Sequence, residues 1–215
     1  MIQAIRNPVT FDEFIAWYPE NSEYRYELHD GVIVEMPKPI GKHSEIAGFL
    51  VLELGFEIRR MRLPYFIPKE CVVKPGESGY EPDVIVLNSK TISADPRWEK
   101  ESTITQGQSA KLVVEVVSTN WSDDYALKLE DYESLGIPEY WICDYLGLGG
   151  RRYIGFPKQP TLSVFQLNAS GEYEGKQFRG DQPIESLAFP QLQLSMNQIL
   201  SAVGGQSIPN SEAGN

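Results

Sequence analysis

The chain of 215 residues contains only two cysteines and has no long apolar run. Cys71 and Cys143 lie in separate apolar segments, so we expect buried free thiols and no disulfide, in a reducing compartment. The most apolar long segment, 46–58, contains Glu53 and Glu57 and falls short of the roughly 18 apolar residues that cross a bilayer. We therefore expect no membrane association. The first ten residues lack the apolar segment of a signal peptide, which predicts a cytoplasmic location.

Basic residues are also scarce, since 19 Lys and Arg face 30 Asp and Glu and give a net charge of −11. This balance excludes a protein that coats nucleic acid through its whole surface, so any contact with nucleic acid must be local. One basic cluster, Arg59, Arg60 and Arg62, lies at the end of a predicted helix. It would either contact DNA phosphates or complement the helix dipole.

The composition that remains is that of a folded domain, with 41% hydrophobic and 11% aromatic residues. We predict a single domain over residues 1–203, since a chain of this length buries most of its apolar surface in one core. Residues 204–215 are rich in Gly, Ser and Asn and predict a disordered tail.

Helix and strand signals alternate along the chain and predict an α/β fold. Thr10 with Glu13 indicates a capped helix, the apolar spacing over 43–61 predicts a second, and Ser122 and Gly136 mark the two ends of a third. A further short helix is expected at 195–203. Strand-like segments are Tyr24–His29, Val32–Met36, Tyr65–Ile67, Glu70–Val73, Asp83–Leu87, Leu112–Val117 and Tyr140–Cys143. The turn Asp30-Gly31 predicts a hairpin, and residues 151–194 predict an antiparallel extension.

Two carboxylates occupy positions that core building does not explain. Glu115 interrupts the apolar strand Leu112–Val117, where an unpaired carboxylate costs several kcal/mol to bury. Asp83 opens the next apolar strand directly after Pro82. Together they would form a hard-oxygen site suited to Mg²⁺ or Mn²⁺. Alternatively, Asp83 ends a loop by accepting backbone hydrogen bonds.

Lys128 is the third unusual residue, because it shares a helix face with Tyr125, Leu129 and Tyr132. That face packs on the sheet, whereas solvated lysines lie opposite. An ammonium there can orient a water and stabilise charge on a phosphorane-like transition state, and Asp124 one turn earlier can hold it. Two alternatives remain: a structural ion pair with Glu115, and a lysine that reaches past the sheet into solvent.

Pro82-Asp83, followed thirty-two residues later by Glu115-Val116-Val117, resembles the PD-(D/E)XK signature of restriction-endonuclease-like nucleases. The wider pattern over about residues 10–145 is similar to the Uma family of bacterial endonucleases. It comprises Tyr26–Gly31, His43, Glu81–Asp83, Val114–Ser118, Lys128 with Tyr132, and Glu139–Asp144. Val117 stands where the general signature has lysine, and the resemblance implies that Lys128 replaces it from the neighbouring helix.

The resemblance implies a restriction-endonuclease-like fold: a central mixed β-sheet flanked by helices, here with an antiparallel C-terminal extension. It also implies that Asp83, Glu115 and the Val116 carbonyl bind Mg²⁺, or alternatively Mn²⁺. The metal would activate water for attack on a DNA phosphodiester, with Lys128 assisting and Glu27 as an additional acidic residue. Relatives in the superfamily often act as homodimers.

Other functions remain open at this stage. A catalytically inactive nuclease fold would bind a protein or nucleic acid partner, and the acidic net charge favours this alternative. A hydrolase of a small phosphodiester is the other alternative.

Several residues also have more than one interpretation. Glu27 would face solvent if the hairpin simply alternates, and His43 is either a phosphate contact, a general base or a helix-terminal residue. His29 is expected at the surface. For Tyr132, Tyr140 and Trp141 a core position is favoured over stacking on bases.

Overall fold

The centre of the molecule is a six-stranded mixed β-sheet. The computed structural model describes residues 8–19 and 23–203. Its helices are α1 (Phe11–Trp17), α2 (Gly41–Met61), α3 (Trp98–Glu101), α4 (Lys128–Leu135), α5 (Arg151–Ile154) and α6 (Met196–Val203). Its strands are β1 (Arg25–His29), β2 (Val32–Met36), β3 (Tyr65–Phe66), β4 (Val72–Val73), β5 (Val84–Asn88), β6 (Thr103–Ile104), β7 (Ala110–Val116), β8 (Glu139–Asp144), β9 (Thr161–Leu167) and β10 (Tyr173–Phe178).

The strand order in the central sheet is β10-β9-β8-β7-β5-β3. Strands β7 and β8 are parallel, and every other neighbouring pair in this sheet is antiparallel. Strands β9 and β10 form the antiparallel extension that the sequence predicts. The pairs β1-β2 and β4-β6 form two small separate sheets. The predicted mixed sheet flanked by helices is therefore confirmed.

Helices cover both faces of the central sheet. On one face, the apolar residues of α2 and α6 pack on alternate residues of β7: Leu112, Val114 and Val116. On the other face, Tyr125 and Tyr132 belong to one core cluster with Val113 and Val117. Glu115 lies between these last two in the alternation of the strand, so its side chain points toward the face that α4 covers.

The hairpin of β1 and β2 has the predicted Asp30-Gly31 turn, where φ is 47° at Asp30 and 78° at Gly31. Two positive φ values are characteristic of a type I′ turn, which glycine and aspartate adopt at low cost. Leu28 and Gly79 exchange two backbone hydrogen bonds of 2.9 and 2.8 Å. These bonds hold the hairpin against the segment that leads to Asp83.

The helix that carries Lys128 begins differently from the sequence prediction. Ser122 has helical dihedral angles (φ −63°, ψ −34°) and its side chain forms no capping hydrogen bond, so the predicted cap is wrong. A π-helical turn over Asp123–Leu127 precedes α4 instead. Such turns are often found at functional sites. The predicted end is confirmed, since Gly136 adopts a left-handed conformation with φ of 81°.

Three smaller predictions are also confirmed. Cys71 and Cys143 are buried free thiols, and burial raises the pKa of Cys71 to about 12. Tyr132, Tyr140 and Trp141 are fully buried in the core. Thr10 and Glu13 form a reciprocal capping box at α1.

Among the helices of residues 8–19 and 23–203, none combines the length and the apolar character that a membrane span needs. The predicted tail 204–215 lies outside these residues, and the domain boundary at 203 stays a prediction.

Candidate active site

The candidate site is a cleft of about 200 Å³ at one end of the paired strands β5 and β7. These strands are antiparallel, and Val84 at the start of β5 pairs with Val114 near the end of β7. The preceding residue, Asp83, is consequently placed opposite Glu115. The backbone N–H of Val116 donates a hydrogen bond of 2.8 Å to Asp83 Oδ2. Both predicted carboxylates therefore line one cleft.

Lys128 lies at the base of this cleft and is bound by three carboxylates. Its Nζ lies 3.1 Å from Glu27 Oε1, 3.1 Å from Glu115 Oε1 and 3.8 Å from Asp124 Oδ1. The Lys128 side chain is only 4% exposed, so it does not reach solvent beside the sheet. Burial lowers the pKa of Lys128, but the negative charges of Glu115, Glu27 and Asp124 outweigh burial and raise it well above its ordinary value. Lys128 therefore stays an ammonium at neutral pH.

Glu27 is buried between this ammonium and its own hairpin, so the solvent-facing alternative is wrong. Its Oε1 also accepts a hydrogen bond of 3.2 Å from the backbone N–H of Glu81. His29 Nε2 lies 3.0 Å from Glu27 Oε2, so His29 is turned inward and is not the surface residue that the sequence predicts. Burial raises the pKa of Glu27, but the charge of Lys128 and the His29 contact outweigh burial and lower it to about 2.

Glu115 has the opposite electrostatic character, although it contacts the same ammonium. Burial is the largest cause and, together with the negative charges of Asp83 and Glu27, it raises the pKa of Glu115 to about 7 against the attraction of Lys128. The Tyr132 hydroxyl donates a hydrogen bond of 2.9 Å to Glu115 Oε1, the same oxygen that Lys128 contacts.

His43 lies on the first turn of α2 and contacts Asp83 directly. Its Nε2 is 3.2 Å from Asp83 Oδ2, and its side chain is nearly buried. Burial lowers the pKa of His43, but the hydrogen bond to Asp83 and the charge of Asp83 outweigh burial and raise it. The sequence left the role of His43 open, and the structure places it in the cleft wall beside a candidate metal ligand.

Two further residues line the cleft that the sequence does not predict as site residues, although Glu81 belongs to the family pattern. Arg25 and Glu81 both line the cleft, and their side chains approach each other to 3.9 Å. The signal for Arg25 is the alternation of β1, because Arg25, Glu27 and His29 share one side of the strand. By contrast, the cluster of Arg59, Arg60 and Arg62 does not line this cleft, and Arg60 binds Glu57 at 2.6 Å.

The donor set suits a hard divalent cation. Asp83 and Glu115 supply carboxylate oxygens, which Mg²⁺ and Mn²⁺ prefer, and water and phosphate oxygens usually complete such sites. Within residues 8–19 and 23–203, no group of three or more His, Cys, Asp or Glu is arranged to hold a metal. Of the predicted ligands, Asp83, Glu115 and Val116 all line the cleft.

Comparisons with known proteins identify the family and the fold of the chain. A family model described as "Uma2: Putative restriction endonuclease" matches residues 11–197. The chain belongs to the Uma2 family. A crystal structure of a "putative nuclease belonging to DUF820" from Anabaena variabilis is similar, with a TM-score of 0.67 and 23% sequence identity. The alignment covers 91% of this chain and 99% of that chain. The likeness confirms the predicted restriction-endonuclease-like fold of this Uma2 member, and no curated protein matches the chain.

Proposed function

We propose that this protein is a metal-dependent endonuclease that hydrolyses phosphodiester bonds in DNA. The observation that carries the proposal is the meeting of Asp83 and Glu115 in one cleft, with the ammonium of Lys128 held 3.1 Å from Glu115. Membership of a family described as restriction endonucleases supports the same reaction class.

The metal ligands in this proposal are Asp83, Glu115 and the backbone carbonyl of Val116. Mg²⁺, or Mn²⁺ in its place, would act as a Lewis acid on a phosphate oxygen and lower the pKa of a bound water. Asp83 is oriented for this role, because Val116 N–H and His43 both hold its Oδ2. The hydrogen bonds that Glu115 accepts from Lys128 and Tyr132 both end on its Oε1.

Lys128 and Glu27 complete the proposed catalytic group. Lys128 would offset the negative charge that develops on the phosphate, because a fixed ammonium in a buried site needs little reorganisation. Glu27 fixes the position of Lys128 through a second ion pair of 3.1 Å. We expect Lys128→Ala to slow cleavage more than it weakens metal binding.

The proposed enzyme acts as a homodimer in the cytoplasm. Two copies related by a two-fold axis would bring two clefts to the two strands of a duplex, which is how one active site per subunit cuts both strands. Light scattering coupled to gel filtration measures this state directly. A strictly monomeric protein that only nicks plasmid would contradict the dimer.

The test is cleavage of supercoiled plasmid at low salt with Mg²⁺ or Mn²⁺, with wild type, Asp83→Ala and Glu115→Ala compared in parallel. Asp181→Ala is the matched control, because Asp181 is exposed and does not line the cleft. We expect wild type and Asp181→Ala to cleave, and the two site variants to lose metal-dependent cleavage while remaining folded. Cleavage by Asp83→Ala at the wild-type rate would overturn the site assignment, because the proposed metal ligand would then be dispensable.

A small phosphodiester substrate is the second candidate, and the charge of the cleft favours it. Six acidic residues line the cleft against three basic residues: Arg25, Lys38 and Lys128. A small diester buries fewer phosphates in such surroundings than a duplex does. Hydrolysis of bis(p-nitrophenyl) phosphate without plasmid cleavage would support this candidate, and metal binding without either activity would indicate an inactive binding module.

A further inference from the structure

Two basic residues that line the cleft, Arg25 and Lys128, differ in how fully they are neutralised. Lys128 is 4% exposed and forms ion pairs of 3.1, 3.1 and 3.8 Å. The side chain of Arg25 is 41% exposed, and its nearest carboxylate oxygens, on Glu81 and Asp83, are both 3.9 Å away. In the described ranges, Arg25 Nε is buried and has no hydrogen-bond partner. Arg25 is the cation of this pair that can still accept a new anionic partner.

The position of Arg25 also fits a phosphate contact. Its guanidinium lies beside Asp83, the residue proposed to bind the metal at the reacting phosphate. Arg25, Glu81 and Asp83 form a wall that the cleft shares with a second cavity of about 600 Å³. A group bound at Arg25 therefore sits at the edge between the two cavities. A planar guanidinium presents five N–H donors in a fork that matches a phosphate group.

The surrounding charge makes such a cation necessary. Glu27, Glu81, Asp83, Glu115 and Asp124 all line the cleft, and Lys128 is already shared among three of them. A phosphate that approaches this wall meets an excess of negative charge unless a cation that is only weakly paired lies nearby. Arg25 supplies that cation from the hairpin, whereas Lys128 neutralises the carboxylates beneath it.

We propose that Arg25 binds a backbone phosphate of the nucleic acid substrate at the wall between the two cavities. This inference rests on the proposed nuclease function and adds a residue to it. Arg25 is a substrate-binding residue, whereas Lys128 stays paired with three carboxylates and offsets charge at the reacting phosphate from that position. The two cations therefore differ in role: Arg25 binds a phosphate of the substrate, and Lys128 acts on the charge that develops during the reaction.

The test is the salt dependence of DNA binding, measured by fluorescence anisotropy of a labelled duplex in EDTA so that no cleavage occurs. Each phosphate contact contributes about 0.9 to the slope of log K against log salt concentration for duplex DNA. We expect Arg25→Gln to reduce the slope by about 0.9 relative to wild type. Arg25→Lys keeps a charge and should retain the slope while binding more weakly, because the fork is lost.

Arg152→Gln is the matched control, since it removes the same charge from an exposed residue that lines neither cavity. Its slope should equal that of wild type. A wild-type slope in Arg25→Gln, with binding retained, would overturn the assignment of Arg25 and leave the nuclease proposal standing. A wild-type protein that binds no duplex at low salt would overturn this inference, and unimpaired plasmid cleavage by Asp83→Ala would separately overturn the proposed function.

Discussion

Two sets of buried carboxylates lie in this fold, and they are stabilised by different partners. One set anchors loops through neutral donors: Asp95 accepts from Thr105, Gln106 and Ser109, Glu139 from Trp141, Leu187 and Ala188, and Asp144 from Leu148 and Gly149. We call these the loop-anchoring carboxylates. The other set, Glu27, Glu115 and Asp124, surrounds the ammonium of Lys128, and we call it the lysine cluster.

The difference shows which buried acids are available for chemistry. A loop-anchoring carboxylate accepts hydrogen bonds from neutral N–H and O–H donors, so its bonds form whenever the segment that supplies those donors packs against it. The carboxylates of the lysine cluster share one cation, and the same residues line an open cleft. Lys128 offsets the charge of these carboxylates as a group. A further cation or an anionic substrate in the cleft would therefore change the net charge around them. Predictions that separate the two sets follow from this contrast.

The largest effect is expected from Lys128→Met, which removes the one ammonium from three buried carboxylates. Breaking a buried ion pair by removing one partner typically costs about 3–5 kcal/mol, because an uncompensated charge remains. Urea unfolding at pH 7 measures this loss. Lys42→Met is the control, since Lys42 is exposed on α2, and it should change stability by less than about 0.5 kcal/mol.

The pH dependence of Lys128→Met sharpens the same comparison. Without the ammonium, burial raises the pKa of Glu27 above its ordinary value in the folded state, so folding takes up a proton. A carboxyl group whose pKa is higher in the folded protein than in the unfolded chain adds to the free energy of unfolding at pH values below its unfolded pKa. This contribution is lost as the pH rises through its pKa in the folded protein. The deficit of the variant against wild type should therefore shrink when the pH is lowered from 7 to 5. A deficit that is independent of pH between 7 and 5 would contradict the interpretation that Lys128 keeps Glu27 charged in the folded protein.

A smaller loss is expected from Glu139→Gln, which alters a loop-anchoring carboxylate. The amide oxygen can still accept from the N–H groups of Leu187 and Ala188, which donate to Glu139 Oε2 at 2.6 and 3.0 Å. The amide nitrogen then faces Trp141 Nε1–H, and two donors cannot bond to each other. The unsatisfied group should cost about 1–3 kcal/mol in urea unfolding. Plasmid cleavage at a temperature where the variant is folded should be unchanged, and a lost activity would place Glu139 in the catalytic group.

The sequence predicts the lysine cluster only in part, because Glu115 and Glu139 look alike in the chain. Both stand at apolar strands, and no local pattern reveals that Glu139 meets a loop 48 residues away while Glu115 meets Lys128. The sequence predicts which helix face Lys128 occupies, because that face depends on local spacing. It does not predict that Glu27 points inward, since this orientation depends on how the hairpin docks through Leu28 and Gly79.

The fold is more predictable than the site for the same reason. The Asp30-Gly31 hairpin, the stop at Gly136 and the apolar stripe of α2 are set by short-range chemistry, and all three are confirmed. Ser122 shows the limit of such signals. Serine is a residue type that commonly caps helices, but the chain is already helical at Ser122. It continues into a π-helical turn that packs Tyr125 and Lys128 against the sheet. Tertiary packing overrides the local preference at that point.

The smallest effect is expected from Tyr132→Phe, which removes a neutral hydrogen-bond donor to Glu115, the kind of partner that the loop-anchoring carboxylates have. The Tyr132 hydroxyl bonds to Glu115 Oε1, but Lys128 contacts the same oxygen and remains in the variant. The ring still packs edge-on against Tyr140 at 5.0 Å, so only a net hydrogen bond of about 1 kcal/mol should be lost.

Tyr140→Phe is the matched control for this measurement. Its hydroxyl donates to the backbone oxygen of Asp124 at 3.1 Å and to no carboxylate, within the same aromatic cluster. Urea unfolding should give similar losses for both variants, because Lys128 alone keeps Glu115 satisfied. A loss in Tyr132→Phe as large as that in Lys128→Met would mean that Glu115 depends on a neutral donor, as the loop-anchoring carboxylates do. The distinction between the two sets would then fail at the residue proposed to bind the metal.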